Sequence, residues 1–136
     1  MLQRLNRARP DFVFARTPRN DGGPHVEGEG PVFYWVTTER GTELSRRQVD
    51  ADGLAYLAMW ELTRDLAQQA ELRARKGAGS RWHWMDAHAR LMAHLDPSWG
   101  ARVAADYAEV LLRHPLRADE AMAGMDPLDL SAFGID

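Results

Sequence analysis

VFYWVTTERGTELSRRQV, residues 32–49, carries the strongest structural signal in the chain. Its first seven residues are all β-branched or aromatic, which is typical of a β-strand. Apolar side chains fall on both faces of that strand, so we expect a central strand that is covered on both sides. Glu39, Arg40 and Gly41 supply a turn, and the more polar residues 42–49 fit an outer strand in contact with solvent. The sequence therefore predicts a β-hairpin over residues 32–49.

The chain before this hairpin is less regular. Residues 12–16, FVFAR, predict a short strand, which would be the third of the sheet. Residues 17–31, TPRNDGGPHVEGEGP, contain four Gly and three Pro, too many breakers for a regular element. We therefore expect a long loop there, which in a small domain is usually mobile or functional.

After the hairpin, apolar residues at helical spacing predict three long helices, over residues 53–76, 81–95 and 97–113. A short helical piece ending at Gly124 follows them. The predicted helix-capping residues are Asp50 or Asp52, Ser80 and Asp96 at the starts, and Gly77 after the first helix. The predicted fold class is α+β: a small antiparallel sheet (hairpin 32–49, with a third strand at 12–16) packed on a bundle of three to four helices.

Length and composition predict one domain over residues 1–136, with a basic N-terminal arm (1–11) and an acidic and apolar tail (125–136). The absence of cysteine rules out disulfides, thiolate metal sites and cysteine nucleophiles. No run approaches the roughly 18 apolar residues that a membrane span requires, and the N-terminus lacks the apolar core of a signal peptide. We therefore expect a cytoplasmic protein without a membrane partner.

The densest combination of charge, turn residues and aromatics is residues 73–84, RARKGAGSRWHW. A glycine-rich turn that leads into a helix presents backbone N–H groups and partial positive charge to an anion. The segment lacks the nucleotide-binding pattern GxxxxGK[ST], and helix capping alone accounts for its glycines and serine. Its predicted ligand is an anion, a nucleic acid or an acidic partner, and the predicted binding residues are Arg73, Arg75, Lys76, Gly79, Ser80, Arg81 and Trp82.

No pattern in the chain assigns catalysis, a cofactor or a metal. His83, His88 and His94 are spaced by five and six residues, so they do not share one helical face as two zinc-binding histidines at i and i+4 do. We expect His88 to be a packed, hydrogen-bonded core residue. We name no catalytic residue, no metal ligand and no cofactor.

These observations favour a non-catalytic protein that binds another protein, as an adaptor, an inhibitor or an immunity-type factor. Five Trp, three Tyr and sixteen Arg are many for a small chain, and these residue types dominate the energetics of protein interfaces. The preference for Arg over Lys indicates a GC-rich bacterial or phage genome. One alternative is a nucleic-acid-binding module that uses residues 73–84, and another is a small enzyme acting on a phosphorylated metabolite. A homo-oligomer is compatible with all three.

Overall fold

The computed structural model of the chain describes residues 15–77 and 79–135. These residues form an α+β fold, as predicted, with three antiparallel strands and four α-helices. In chain order the elements are β1 (Asp21–Glu27), β2 (Phe33–Glu39), β3 (Thr42–Val49), α1 (Ala51–Ala74), α2 (Arg81–Leu95), α3 (Pro97–Arg113), α4 (Ala118–Met122) and a 3-10 turn (Ser131–Phe133).

The described residues divide into two compact units, which we call the sheet unit (residues 15–59) and the helical unit (residues 60–135). The division falls inside α1. The single domain over residues 1–136 stays a prediction, and the predicted arm at residues 1–11 lies outside the described residues.

The sheet has the order β1-β2-β3, so the predicted central position of β2 is confirmed. Trp35 and Val36 point to opposite faces of β2 and are both buried, which confirms that each face is covered at this point. The predicted outer strand is also confirmed, because seven of the eight residues of β3 are exposed.

The turn between β2 and β3 consists of two residues, and both have positive φ angles, 50° at Arg40 and 81° at Gly41. A two-residue turn of this kind matches the twist of the two strands that it joins. Asn20 satisfies the backbone of the turn: its carbonyl oxygen accepts from the Arg40 N–H (3.1 Å), and its side-chain oxygen accepts from the Gly41 N–H (3.0 Å). The turn is therefore held from outside the hairpin.

The prediction of a loop over residues 17–31 was wrong for its central part, because residues 21–27, DGGPHVE, form β1. Backbone pairing with β2 outweighs the composition: His25 lies opposite Val36, and Val26 lies opposite Trp35. β1 tolerates its proline because it is an edge strand, in which the missing N–H of Pro24 leaves no hydrogen bond of the sheet unmade. It tolerates Gly22 (φ 83°) because this residue lies where the pairing with β2 is irregular. The third strand is thus β1 and not residues 12–16, of which 12–14 lie outside the described residues and 15–16 are not in a strand.

The observed helices agree more closely with the bounds predicted from the sequence. Both α2 and α3 have the predicted bounds, and α1 begins and ends two residues earlier than predicted. Asp50 is the N-cap of α1, since its Oδ1 accepts from the Gly53 N–H at 2.8 Å. Ser80 caps α2 and Asp96 caps α3, as the sequence indicates.

In the helical unit, α2 and α3 pack closely where Gly100 meets Ala93. A Cβ placed on Gly100 would lie 2.2 Å from the Ala93 Cβ, so only glycine permits this approach. The prediction for His88 is confirmed, because it is fully buried and its Nδ1 lies 2.7 Å from the Tyr107 hydroxyl. Trp60 packs edge-on against the same imidazole, with 5.1 Å between the ring centroids.

The tail also belongs to this unit. Leu130, Phe133 and Ile135 are buried, so the described part of the tail places most of its large apolar side chains inside the protein. Arg90 on α2 donates from Nη2 to the Leu128 carbonyl oxygen at 2.6 Å, and this bond fixes the start of the tail. None of the helices in the described residues is long and apolar enough to span a bilayer.

Candidate functional site

The residues predicted to bind a ligand lie at the end of α1, in the connection to α2 and at the start of α2, all within the helical unit. A cleft of about 440 Å³ opens at this junction. One wall comes from the end of α1, and the facing wall comes from residues 122–128. The lining residues are Glu71, Ala74, Arg75, Lys76, Gly79, His83, Met122, Ala123, Asp126 and Leu128.

Arg75 is held in one orientation by Glu71. Its Nε donates to Glu71 Oε1 at 2.9 Å and its Nη2 donates to Glu71 Oε2 at 2.7 Å, while the Glu71 side chain is only 5% exposed. These hydrogen bonds to Glu71 raise the pKa of Arg75. A Cβ on Gly79 would lie 2.4 to 2.6 Å from the guanidinium, so this glycine leaves the space in which Arg75 sits. Arg75 is thus a fixed, half-exposed cation.

Arg81 and Ser80 have structural roles at the start of α2. The Ser80 hydroxyl oxygen accepts from the Trp82 N–H at 3.2 Å. The buried carboxylate of Glu120 accepts from the Arg81 backbone N–H and from the Arg81 guanidinium, both at 3.0 Å. The same guanidinium donates to the carbonyl oxygens of residues 114 and 115, at 3.1 and 3.0 Å. Arg81 therefore joins α2 to the segment that contains α4.

An anion does bind at the start of α2, and it is supplied by the chain itself. Hydrogen bonds from the Arg81 side chain and backbone lower the pKa of Glu120 to about 2, so this carboxylate stays ionised at neutral pH. The carboxylate occupies the position where the sequence predicts an external anion. The described structure therefore leaves the remaining cations of residues 73–84 as the groups open to a partner.

Two of those cations make no ion pair with any described residue. Lys76 lines the cleft and is exposed, and Arg73 is exposed with its Nη2 3.5 Å from the side-chain oxygen of Gln69. The half-buried Trp82 packs edge-on against His83, with 5.5 Å between the ring centroids. The structure thus brings Arg75, Lys76 and Gly79 together at the cleft, and it directs Ser80 and Arg81 to internal contacts.

The facing wall of the cleft was not predicted from the sequence. Met122 is 88% exposed, and the carboxylate of Asp126 makes no hydrogen bond with any described residue. Glu71 could have been found from its i,i+4 spacing to Arg75, which favours an ion pair on a helix. Glu120 gives no such signal, because it lies 39 residues from Arg81 in the sequence.

The three histidines of α2 do not form a metal site. His83 lines the cleft, His88 is in the core and His94 is exposed, and the residues that the structure describes hold no group of three potential metal ligands.

The chain matches the model of a known protein family. The model of the family Immunity protein 63 matches residues 29–109, more than half of the chain. The matched region contains β2, β3, α1, α2 and most of α3, and therefore all seven predicted binding residues. No curated protein and no solved structure matches the chain. The match supports the predicted class of an immunity-type protein that acts by binding another protein, and the chain belongs to the Immunity protein 63 family.

Proposed function

We propose that this protein binds a protein toxin and holds it inactive, and that it does so without chemistry of its own. Family membership carries this proposal, since the description of the family is that of an immunity protein. The proposal makes the chain an inhibitor within the broader class of interaction proteins. We also propose that the protein comes from a GC-rich bacterium or phage and that it acts in the cytoplasm.

We further propose that the junction between α1 and α2 contributes to the contact with the toxin. Arg73 and Lys76 are exposed and have no ion-pair partner among the described residues, and Arg75 is fixed beside them. A cation that is already fixed loses little conformational entropy on binding. Met122 on the facing wall adds a flexible apolar surface, of a kind that adapts to the shape of a partner.

The test of inhibition uses the proteins encoded by genes next to this one in its source genome. Each is expressed in a host cell with and without this chain, and a toxin is identified by growth arrest that the chain relieves. The purified pair should then form a complex that survives size-exclusion chromatography. If no neighbouring protein is both toxic and neutralised by the chain, the proposed function is wrong.

The contribution of the junction is tested with charge reversal. Lys76→Glu should weaken toxin binding about tenfold and reduce its dependence on salt. Arg113→Glu is the control for a general change of charge, since Arg113 is an exposed cation of the same unit that lies outside the cleft and pairs with Glu109. Titration with oligonucleotides, followed by tryptophan fluorescence, tests the alternative that residues 73–84 bind nucleic acid. Salt-dependent binding of an oligonucleotide that Lys76→Glu abolishes, together with unchanged toxin binding, would assign the junction to nucleic acid instead.

A further inference from the structure

The two edges of the sheet differ in how far they are closed. On the β1 side, the Val26 N–H donates to the Ala15 carbonyl oxygen at 2.9 Å, and Pro24 has no N–H to offer. The irregular pairing at Gly22 further interrupts this edge. Such features are the usual means by which proteins prevent a strand from pairing with another chain.

The outer edge of β3 has no comparable closure. No main-chain group of the described residues pairs with it, and residues 42–48 are all exposed. Its first half contains an irregularity near Leu44, whose side chain is 57% exposed, but residues 45–49 pair regularly with β2. Residues 45–48 of this regular stretch are exposed, and their outward-facing N–H and C=O groups are open to another strand.

The charges on β3 indicate what kind of strand would fit. The guanidinium of Arg46 is already balanced, because it donates to Glu27 at 3.0 Å and to Glu43 at 2.8 Å. Arg47 points to the other face of the sheet, is exposed, and forms no ion pair with any described residue. An incoming strand therefore meets one unbalanced positive charge.

We propose that β3 pairs through its outer edge with an extended segment of the bound partner, and that a carboxylate of this segment lies opposite Arg47. This inference rests on the proposed function, because the segment belongs to the toxin. In strand addition the main-chain hydrogen bonds supply affinity, and the side chains that face their neighbours supply specificity. A second copy of the chain fits less well, because antiparallel pairing centred on Arg46 or Arg47 opposes arginines of the two copies.

Hydrogen exchange of the whole chain, measured with and without the neutralised toxin, tests the pairing directly. Amides of residues 43–48 whose N–H groups face outward should exchange at least about tenfold more slowly in the complex. A complex that forms without such protection would overturn the strand-addition proposal and leave the proposed function intact. Protection that appears without toxin, with the mass of a dimer, would show a second copy on this edge and would also overturn it.

Charge reversal tests the predicted carboxylate. Arg47→Glu should weaken toxin binding about tenfold, and Arg113→Glu on α3 should leave it unchanged. A thermal melt of each variant confirms that both are folded. An unchanged affinity of Arg47→Glu for the toxin would refute the carboxylate partner. A failure of the wild-type chain to bind any toxin would instead refute the proposed function, so the two failures are distinguishable.

Discussion

The buried imidazole of His88 should make the stability of the helical unit fall in mildly acidic solution. Burial lowers the pKa of His88 from 6.5 to about 4, and the positive charge of Arg64 acts in the same direction. The folded protein therefore keeps this ring neutral at a pH where the unfolded chain takes up a proton. A group whose folded pKa is depressed in this way costs stability as the pH falls from its unfolded to its folded value.

The size of the effect follows from the two pKa values. With about 4 in the folded state and 6.5 in the unfolded state, proton linkage removes about 2 kcal/mol of the free energy of unfolding between about pH 8 and pH 5. That is a large share of the stability of a typical domain, which is roughly 5 to 15 kcal/mol. The carboxylate of Glu120 does not interfere, because its pKa values of 4.5 and about 2 place its titration at lower pH.

Urea denaturation at several pH values between about 8 and 5 measures this quantity. His88→Gln should remove most of the pH dependence while lowering stability at neutral pH, because the variant loses the packed ring. His94→Gln is the matched control, since His94 lies on the same helix and is exposed. If the wild type and His88→Gln lose stability in parallel as the pH falls, the assignment of the effect to His88 is refuted.

Three further changes have defined outcomes. Gly100→Ala should lower the melting temperature by several degrees. Overpacking against Ala93 costs about 1 to 3 kcal/mol or more at such a distance, which exceeds the gain of about 1 kcal/mol in helix propensity. A variant as stable as the wild type would contradict the close approach of the two helices. Ser80→Ala should cost about 1 kcal/mol in urea denaturation through loss of the α2 cap, and no loss would contradict that capping role. Circular dichroism should show a loss of structure as the pH falls from about 4.5 towards about 2, because the unfolded chain protonates Glu120 in this range while the folded protein keeps it ionised. Glu120→Gln should be less stable at neutral pH and should lose this part of the acid transition. An acid transition that is the same in the variant and the wild type would contradict the role of Glu120.

Local chemistry was sufficient to predict the helices and the hairpin. Ser80 and Asp96 are caps whose contacts span two residues, so their effect is visible in a short stretch of sequence. The turn residues Arg40 and Gly41 are recognisable in the same way, although their backbone is also held by the distant Asn20. The helix caps are fixed by hydrogen bonds between near neighbours, so they can be predicted without knowledge of the fold.

The features that the sequence did not predict depend on distant partners. Residues 21–27 become a strand because β2 offers a hydrogen-bonding edge, which overrides their own low strand propensity. The start of α2 is neutralised by Glu120, which no local pattern connects to Arg81. The predicted binding segment was therefore located by its composition, but the division of its cations between internal and open contacts required the structure.

The bond between Arg81 and Glu120 also limits how the protein can be shortened. The family match ends at residue 109, which makes a fragment of residues 29–109 an attractive minimal version. That fragment would lack β1, and so the strand that completes one side of β2. It would also leave the Arg81 guanidinium without its carboxylate and without the two carbonyl oxygens that it bridges. A useful minimal version has to begin before residue 20, so that Asn20 still supports the turn, and has to extend beyond residue 120.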